Sequence, residues 1–191
     1  MDVEEFRKQA WNSAFESFGT AYIFERRAAK YRQRLTVLNF LGIVVPLVLG
    51  GTVATFGTNI KPFFIAALGI VSIFQLIGSA WSLNAKWDDA YADARESMVA
   101  NIKLRRQYEQ FGRNPPTDAT EFKLRFEVLE AVANQQEEDD LKQGVSDQER
   151  RMGMRAALRQ YQKRCIRCDR IPSSMQPSNC EVCGNFSRRL L

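Results

Sequence analysis

The sequence contains no histidine among its 191 residues. The chain therefore lacks the side chain most often used as a general base near neutral pH, and also the commonest nitrogen ligand for metals. It has no glycine-rich phosphate loop, and no nucleophile and base stand at a recognisable spacing. The sequence favours a protein that is not an enzyme and offers no evident site for a small-molecule substrate.

Charge is missing from two stretches, although 26% of the residues are charged. Residues 35–56 and 62–83 are uncharged runs of 22 residues each. A helix of that length spans about 33 Å, which matches a hydrocarbon core of about 30 Å. The pattern predicts two transmembrane helices; the alternative is a buried hairpin in a soluble protein. Because only residues 57–61 connect them, the two helices should be antiparallel neighbours.

Basic residues are concentrated before the first of these stretches. The connecting loop has a single cation, Lys61. The positive-inside rule therefore predicts a multi-pass membrane protein of bacterial type, with both termini in the cytoplasm and residues 57–61 outside. The first 34 residues are polar and charged, so we expect no cleavable signal peptide. The basic residues before the first stretch are Arg26, Arg27, Lys30, Arg32 and Arg34.

Apolar residues at helical spacing predict four further helical segments on the cytoplasmic side. An amphipathic helix over residues 3–34 should run into the first membrane helix, and the second membrane helix should continue to about Phe111. Together they would form a stalk. We expect a third helix from about Asp118 to Leu141. A fourth, from Asp147 to about Lys163, should start at a capping box made by Ser146 and Glu149.

Charge is also divided sharply along the cytoplasmic part. Residues 117–149 carry a net charge of −7, and residues 150–191 carry +8. The two segments could neutralise each other within the fold or across an oligomer. Alternatively, the basic segment could bind nucleic acid or anionic lipid headgroups.

Four cysteines form the most specific chemical signal. Cys165 and Cys168 make one CxxC pair, and Cys180 and Cys183 make a second after eleven intervening residues. This spacing predicts a four-thiolate zinc site of the ribbon kind, closed and therefore structural, with a redox pair as the alternative. We expect Gly184 to adopt a positive φ, so that backbone amides face the sulfur.

Arginines flank the cysteines. They could balance the negative charge of a zinc tetrathiolate, or they could hold phosphate groups of a nucleic acid. The candidate contact residues are Arg164, Arg167, Arg170, Arg188 and Arg189.

The two uncharged stretches have polar or small faces. On the second, Ser72, Gln75, Ser79 and Ser82 share one face. On the first, Asn39 lies on a face with small residues. These faces could be the seam between the helices, or the Gln75 face could line an aqueous path in an assembly. The other members of the first face are Thr36, Gly42, Pro46, Gly50 and Ala54.

Together these features predict an all-α membrane protein in three parts. They are a two-helix transmembrane hairpin, a cytoplasmic helical stalk and a small zinc ribbon at the C-terminus. The expected segments are 1–34 (amphipathic helix), 35–56 (first membrane helix), 57–61 (external loop), 62–83 (second membrane helix), 84–163 (cytoplasmic helices) and 164–191 (basic ribbon).

The amphipathic helix, tight hairpin and following helices resemble the SLATT group of bacterial two-transmembrane effectors over about the first 110 residues. The tail is similar to the CxxC-x11-CxxC pattern of small proteins associated with mobile elements. The SLATT resemblance implies anti-phage defence, in which a silent effector assembles and permeabilises the inner membrane. It also implies a sensor partner, such as a cyclic-nucleotide synthase or a retron reverse transcriptase with its RNA–DNA product. No cyclic-nucleotide sensor domain is visible in the chain, which favours a retron-like or other separate sensor.

Two functions of different class follow as hypotheses. The first is an effector that oligomerises and disrupts the inner membrane, causing abortive infection. The second is an anchor that uses its zinc ribbon to tether a nucleoprotein or protein partner to the membrane, without forming a pore.

Overall fold

The computed structural model describes residues 3–56, 62–116 and 118–190. These residues form helices and turns without any β-strand, which confirms the all-helical prediction. The predicted external loop 57–61 lies outside the described residues. The elements are α1 (Val3–Phe56), α2 (Pro62–Asn84), α3 (Trp87–Arg113), α4 (Ala119–Lys142), α5 (Asp147–Gln160) and a short 3-10 helix (Arg188–Leu190).

The chain divides into two compact units. One unit, which we call the helical body, comprises the residues up to Arg27 and those from Ala94 onward. The other, the apolar unit, comprises Ala28–Asp93. Helix α1 contributes to both units because it continues without interruption from Val3 to Phe56. Its first part is the predicted amphipathic helix and its second part is the first uncharged stretch.

The core of the helical body is rich in phenylalanine. Phe6 of α1 stacks on Phe122 of α4 with ring centroids 5.2 Å apart. The apolar stripe of α1 therefore packs not only against α3, which shares its stripe as expected, but also against α4. The buried residues of this cluster are Phe6, Ala10, Ala14, Leu104, Tyr108, Phe122, Phe126 and Leu129.

Helix α5 packs against α1 at a pair of glycines. A Cβ added at Gly153 would lie 2.6 Å from the carbonyl oxygen of Gly19. Because glycine has only a hydrogen atom as its side chain, the backbones of α1 and α5 come into van der Waals contact there. An ion pair lies on the same helix pair, because Arg27 of α1 donates from Nε to Glu149 Oε1 at 2.7 Å and from Nη2 to Oε2 at 2.8 Å. The close contact brings the start of the cysteine-bearing tail to the α1 surface.

The helix boundaries confirm some sequence predictions and correct others. The capping box at Ser146 and Glu149 is present, and the side chain of Asp118 caps α4. The second uncharged helix does not continue to Phe111, because Ala85 and Lys86 form a turn and Lys86 has a φ of 49°. That left-handed conformation cannot be part of a right-handed α-helix, so a separate helix, α3, begins at Trp87. Helix α5 ends at Gln160 rather than near Lys163.

Large apolar side chains remain exposed in the apolar unit. Leu47 of α1 is 68% exposed and Phe74 of α2 is 71% exposed. Within the described residues, α1 is long and apolar enough to cross a membrane. At the charged end of this unit, the guanidinium of Arg34 lies 5.1 Å from the ring centroid of Trp87, a cation–π contact between α1 and α3.

Candidate metal centre

The four cysteines lie together in space. Their sulfur atoms are all within 4.8 Å of one another. The Sγ atoms of Cys165 and Cys180 are 3.9 Å apart, and those of Cys168 and Cys183 are 3.8 Å apart. In a tetrahedral site with metal–sulfur bonds of about 2.3 Å, neighbouring sulfurs are separated by about 3.8 Å. The four residues thus fit a tetrahedral metal ion, in an arrangement typical of structural zinc sites.

Two turns with the same backbone pattern present the cysteines. In the first, the amide of Asp169 donates to the carbonyl of Cys165 at 2.9 Å. In the second, the amide of Gly184 donates to the carbonyl of Cys180 at 2.8 Å. Residues 161–190 contain turns and the 3-10 helix but no β-strand. The paired turns alone are sufficient to bring the two CxxC pairs together.

The glycine after the second pair has a role that its position did not predict. Gly184 lacks the expected positive φ, whereas Asp169, the equivalent residue of the first turn, has a φ of 50°. A Cβ added at Gly184 would lie 2.6 Å from the backbone oxygen of Ser178. Gly184 is required for close approach of two backbone segments, a relation that depends on the folded loop and leaves no signal in the spacing.

The electrostatic environment differs among the sulfurs. Backbone amides of Cys183 and Val182 donate hydrogen bonds to the Cys180 sulfur and lower its pKa to about 6, although desolvation opposes the shift. Burial raises the pKa of Cys183. Amide donors of this kind stabilise a thiolate, the form that binds metal.

The cysteine site packs directly against helices of the helical body. Cys165 and Cys183 are buried in a cluster with Leu158 of α5, and Phe15 of α1 packs against that cluster. A metal bound by the four sulfurs would consequently fix the tail against two helices of the body.

Arg155 of α5 is a residue of the site that the sequence did not single out. It is only 9% exposed. Its guanidinium donates from Nε to the carbonyl of Ser174 at 2.8 Å and from Nη1 to the carbonyl of Cys183 at 3.2 Å. The sequence of α5 does not indicate which arginine binds the carbonyls of the tail, because the helix carries four arginines and only the packing distinguishes Arg155.

The five candidate arginines fall into two groups. Arg164 pairs with Asp169 at 3.0 Å, and Arg167 pairs with Glu181 at 2.7 Å. The second pair connects the two CxxC turns. The other three form no ion pair with any residue of the described part of the chain. They are the exposed residues Arg170, Arg188 and Arg189.

The predicted polar face of the apolar unit is only partly assembled. On α2, Ser82 is buried, whereas Ser72, Gln75 and Ser79 are half-buried. A Cβ added at Gly42 of α1 would lie 3.7 Å from the Gln75 side-chain nitrogen, so Gln75 faces α1. Asn39 and the other members of the α1 face are all exposed: Thr36, Gly42, Pro46, Gly50 and Ala54.

The cysteine arrangement agrees with a comparison to known families. A family model described as Mobilome CxxCx(11)CxxC protein matches residues 7–186, nearly the whole chain. The chain belongs to this mobilome CxxCx(11)CxxC family. The match includes the helical body and the apolar unit as well as the cysteines that give the family its name. No curated protein and no solved structure matches the chain.

Proposed function

We propose that this mobilome CxxCx(11)CxxC protein is a membrane effector of an antiviral defence system. Residues 35–56 of α1 and 62–83 of α2 form a hairpin in the bacterial inner membrane, with both termini in the cytoplasm. When a sensor partner releases it, several copies assemble and disrupt the membrane, as the SLATT resemblance implies. The role is not enzymatic.

The observation that carries this proposal is the exposure of α1. Its most apolar window of 18 residues is only 6% buried. The core helix of a soluble protein would be covered by its neighbours, whereas a helix surrounded by lipid needs no protein cover. Helix α2 has no charged residue over its 23 positions, which supports a second crossing.

The cysteine tail contributes zinc-dependent structure in this proposal. One zinc ion bound by Cys165, Cys168, Cys180 and Cys183 holds the tail on α1 and α5. Because α1 contributes residues to both units, binding of a partner to the tail would act on the membrane helix through α1. A nucleoprotein such as a reverse transcriptase with its RNA or DNA would suit the unpaired arginines.

Inducible expression in bacterial cells tests the effector function. Dye exclusion and membrane potential should both fall on expression of the unregulated protein. Unchanged values would overturn the proposal. If the polar face lines an aqueous path, Gln75→Leu with Ser79→Leu should restore dye exclusion, whereas Ile73→Leu with Ile77→Leu, at exposed positions of the same helix, should not.

A second candidate function is a membrane anchor that tethers a partner without a pore. The exposure of Arg170, Arg188 and Arg189 favours it, because these cations are available to phosphates or acidic proteins. Under this function, expression leaves dye exclusion intact, and Arg188→Gln with Arg189→Gln releases the partner from the membrane fraction. Binding of the full chain to RNA and DNA at low salt, measured by a mobility shift, separates a nucleic-acid partner from a protein partner.

A further inference from the structure

The helical body contains a polar cleft that the proposed function does not use. It has a volume of about 490 Å³ and lies between α1 and α4, with residues of α3 at its base. Its acidic residues are Glu16, Glu130, Glu137 and Asp140, against a single lining cation, Arg150. The cleft is therefore strongly acidic in a protein whose net charge is +5.

The carboxylates of the cleft have few direct partners among the described residues. Asp140 accepts hydrogen bonds from Asn101 at 2.6 Å and from Gln136 at 2.8 Å. In contrast, Glu16, Glu130 and Glu137 form no ion pair with any residue that the structure describes. Burial and the neighbouring Glu137 raise the pKa of Glu16, although Lys163 opposes the shift. Apart from the attraction of Lys163 for Glu16, no direct cationic partner compensates their ionised forms in the part of the chain that the structure describes.

A buried polar group supports the interpretation of this cleft as a binding site. Ser17 lines it and is only 8% exposed, and its hydroxyl has no hydrogen-bond partner among the described residues. The hydroxyl oxygen itself is not fully enclosed by protein, so it can form a hydrogen bond with a group that enters the cleft. The cleft therefore presents both unneutralised carboxylates and an unused hydroxyl to whatever enters it.

The matching positive charge lies on residues 150–191 of the same chain, and most of it does not line the acidic cleft. In the described part of the protein, no ion pair joins residues 117–149, net −7, to residues 150–191, net +8. Direct ion pairs between the two segments are therefore absent from the described residues, although Arg150 lines the acidic cleft and Lys163 lowers the pKa of Glu16. The acidic and basic segments remain available to another molecule.

Two adjacent arginines are presented for such a contact. Arg188 and Arg189 lie on the terminal 3-10 helix, are exposed, and have no ion-pair partner in the described chain. The turn is held in place because Phe186 is buried with Ile23 and Met152, and Leu190 packs against that cluster. Two cations on an anchored turn need little ordering before they bind.

We propose that the acidic cleft of one copy binds Arg188 and Arg189 of a second copy, so that the chain associates head to tail. The contact is heterologous, because each copy uses a different surface, and it can continue into a closed ring or an open filament. Guanidinium groups suit the cleft, since they donate to carboxylates in pairs and to a hydroxyl. The head-to-tail contact gives a structural basis for the proposed assembly of several copies. It rests on the proposed function only in that the assembly is expected to disrupt the membrane.

The test measures the mass of the full chain in detergent by sedimentation, over a range of protein concentration. We expect concentration-dependent association that weakens between about 0.05 M and 0.5 M salt. Glu16→Gln with Glu137→Gln should weaken it at least about tenfold, and Arg188→Gln with Arg189→Gln should weaken it similarly. Circular dichroism of each variant verifies that it is folded.

Matched controls exist on the same elements. Glu121→Gln with Glu127→Gln removes the same charge from the outer face of α4, where Arg125 and Lys123 already pair with these residues. Arg164→Gln with Arg167→Gln removes the same charge from the tail, where Asp169 and Glu181 are the partners. Both controls should associate like the unsubstituted protein.

Mixing the two variants distinguishes head-to-tail association from other contacts. The cleft variant retains its arginines and the arginine variant retains its cleft, so together they should form a one-to-one complex and nothing larger. A chain that stays monomeric at all concentrations, a cleft variant that associates normally, or a mixture without the complex would each overturn the proposal. If the arginine variant loses binding to RNA, DNA or another protein but not self-association, those molecules are the partners instead.

This measurement is independent of membrane permeability. Self-association of the chain in sealed vesicles that do not leak would support the head-to-tail contact and reject the effector function. Leakage that persists in a cleft variant unable to associate would support the effector function and show that membrane disruption does not depend on the head-to-tail contact.

Discussion

Gly153 of α5 lies so close to Gly19 of α1 that a Cβ at position 153 would come within 2.6 Å of the Gly19 carbonyl oxygen. Ile23 lies on the other side of the same position, with its Cδ1 and Cγ1 atoms 2.9 Å from that Cβ. The contact joins the N-terminal helix to the helix that leads into the cysteine tail. Two glycines 134 positions apart in sequence thus determine where the metal centre is attached.

Gly153→Ala should destabilise the helical body. The added methyl forces α1 and α5 apart, which costs about 1 to 3 kcal/mol, and the better helix propensity of alanine offsets about 1 kcal/mol. Thermal unfolding followed by circular dichroism should show a lower midpoint. Gly50→Ala in α1 is the matched control, because nothing lies within 4 Å of a Cβ there, and its midpoint should stay the same or rise. Equal midpoints for both variants would contradict the close contact.

The ion pair of Arg27 and Glu149 predicts a loss of stability in acid. Desolvation of Glu149 opposes ionisation, but hydrogen bonds from Arg27 and Ser146 outweigh it and lower its pKa to about 2. The unfolded-state value is about 4.5. A depressed folded-state pKa gives stability that is complete above the unfolded-state value and is lost as the pH falls from about 4.5 to 2.

Denaturant unfolding at several pH values measures this contribution. The unsubstituted protein should lose about 1 to 3 kcal/mol more than Glu149→Gln over that pH interval, after allowance for solvent screening. Arg27→Gln should remove most of the difference, whereas Arg26→Gln, which breaks a hydrogen bond and a cation–π contact with Tyr22, should leave it. Parallel pH profiles for the protein and its Glu149→Gln variant would rule out the pair as a source of acid sensitivity.

Metal removal should loosen the tail. The purified protein should contain one zinc ion per chain by mass spectrometry, and cobalt in its place should give the visible spectrum of a tetrahedral thiolate site. Cys165→Ser should lose the metal and expose residues 161–190 to protease, since two of the ligands are also buried against Leu158. Ser187→Ala, in the same tail but outside the cluster, should keep both metal and protease resistance. A chain that binds no metal yet resists protease would show that the cysteines act without it.

The two turn residues that follow the CxxC pairs should respond in opposite ways. Gly184→Ala places a methyl against the Ser178 backbone and should weaken metal binding at least about tenfold. Asp169→Gly relieves a positive φ and should leave metal affinity within about twofold. Competition with a zinc chelator measures both. A larger loss of metal affinity for Asp169→Gly than for Gly184→Ala would contradict the role of Gly184 in close backbone approach.

Local features of the sequence predicted the structure well. Ser146 and Glu149 form a capping box because both partners lie three residues apart, and the CxxC spacing was enough to identify a four-sulfur cluster. Features that need two distant segments were not predictable. Arg155 is one of several arginines on α5 until the fold places it beside Ser174 and Cys183. Likewise, the stripe that runs past Lys86 gives no sign of the left-handed turn that ends α2.

The effector function makes its most direct prediction for sealed vesicles. The full zinc-loaded chain, reconstituted into vesicles of bacterial-type anionic lipid, should release an entrapped small dye. Leu47→Arg places a charge at an exposed position of the apolar helix and should abolish both insertion and release. Flotation on a density gradient verifies which proteins are inserted. Dye release by the inserted protein is the predicted result. Complete retention of the dye by vesicles that contain the inserted protein would contradict the effector function.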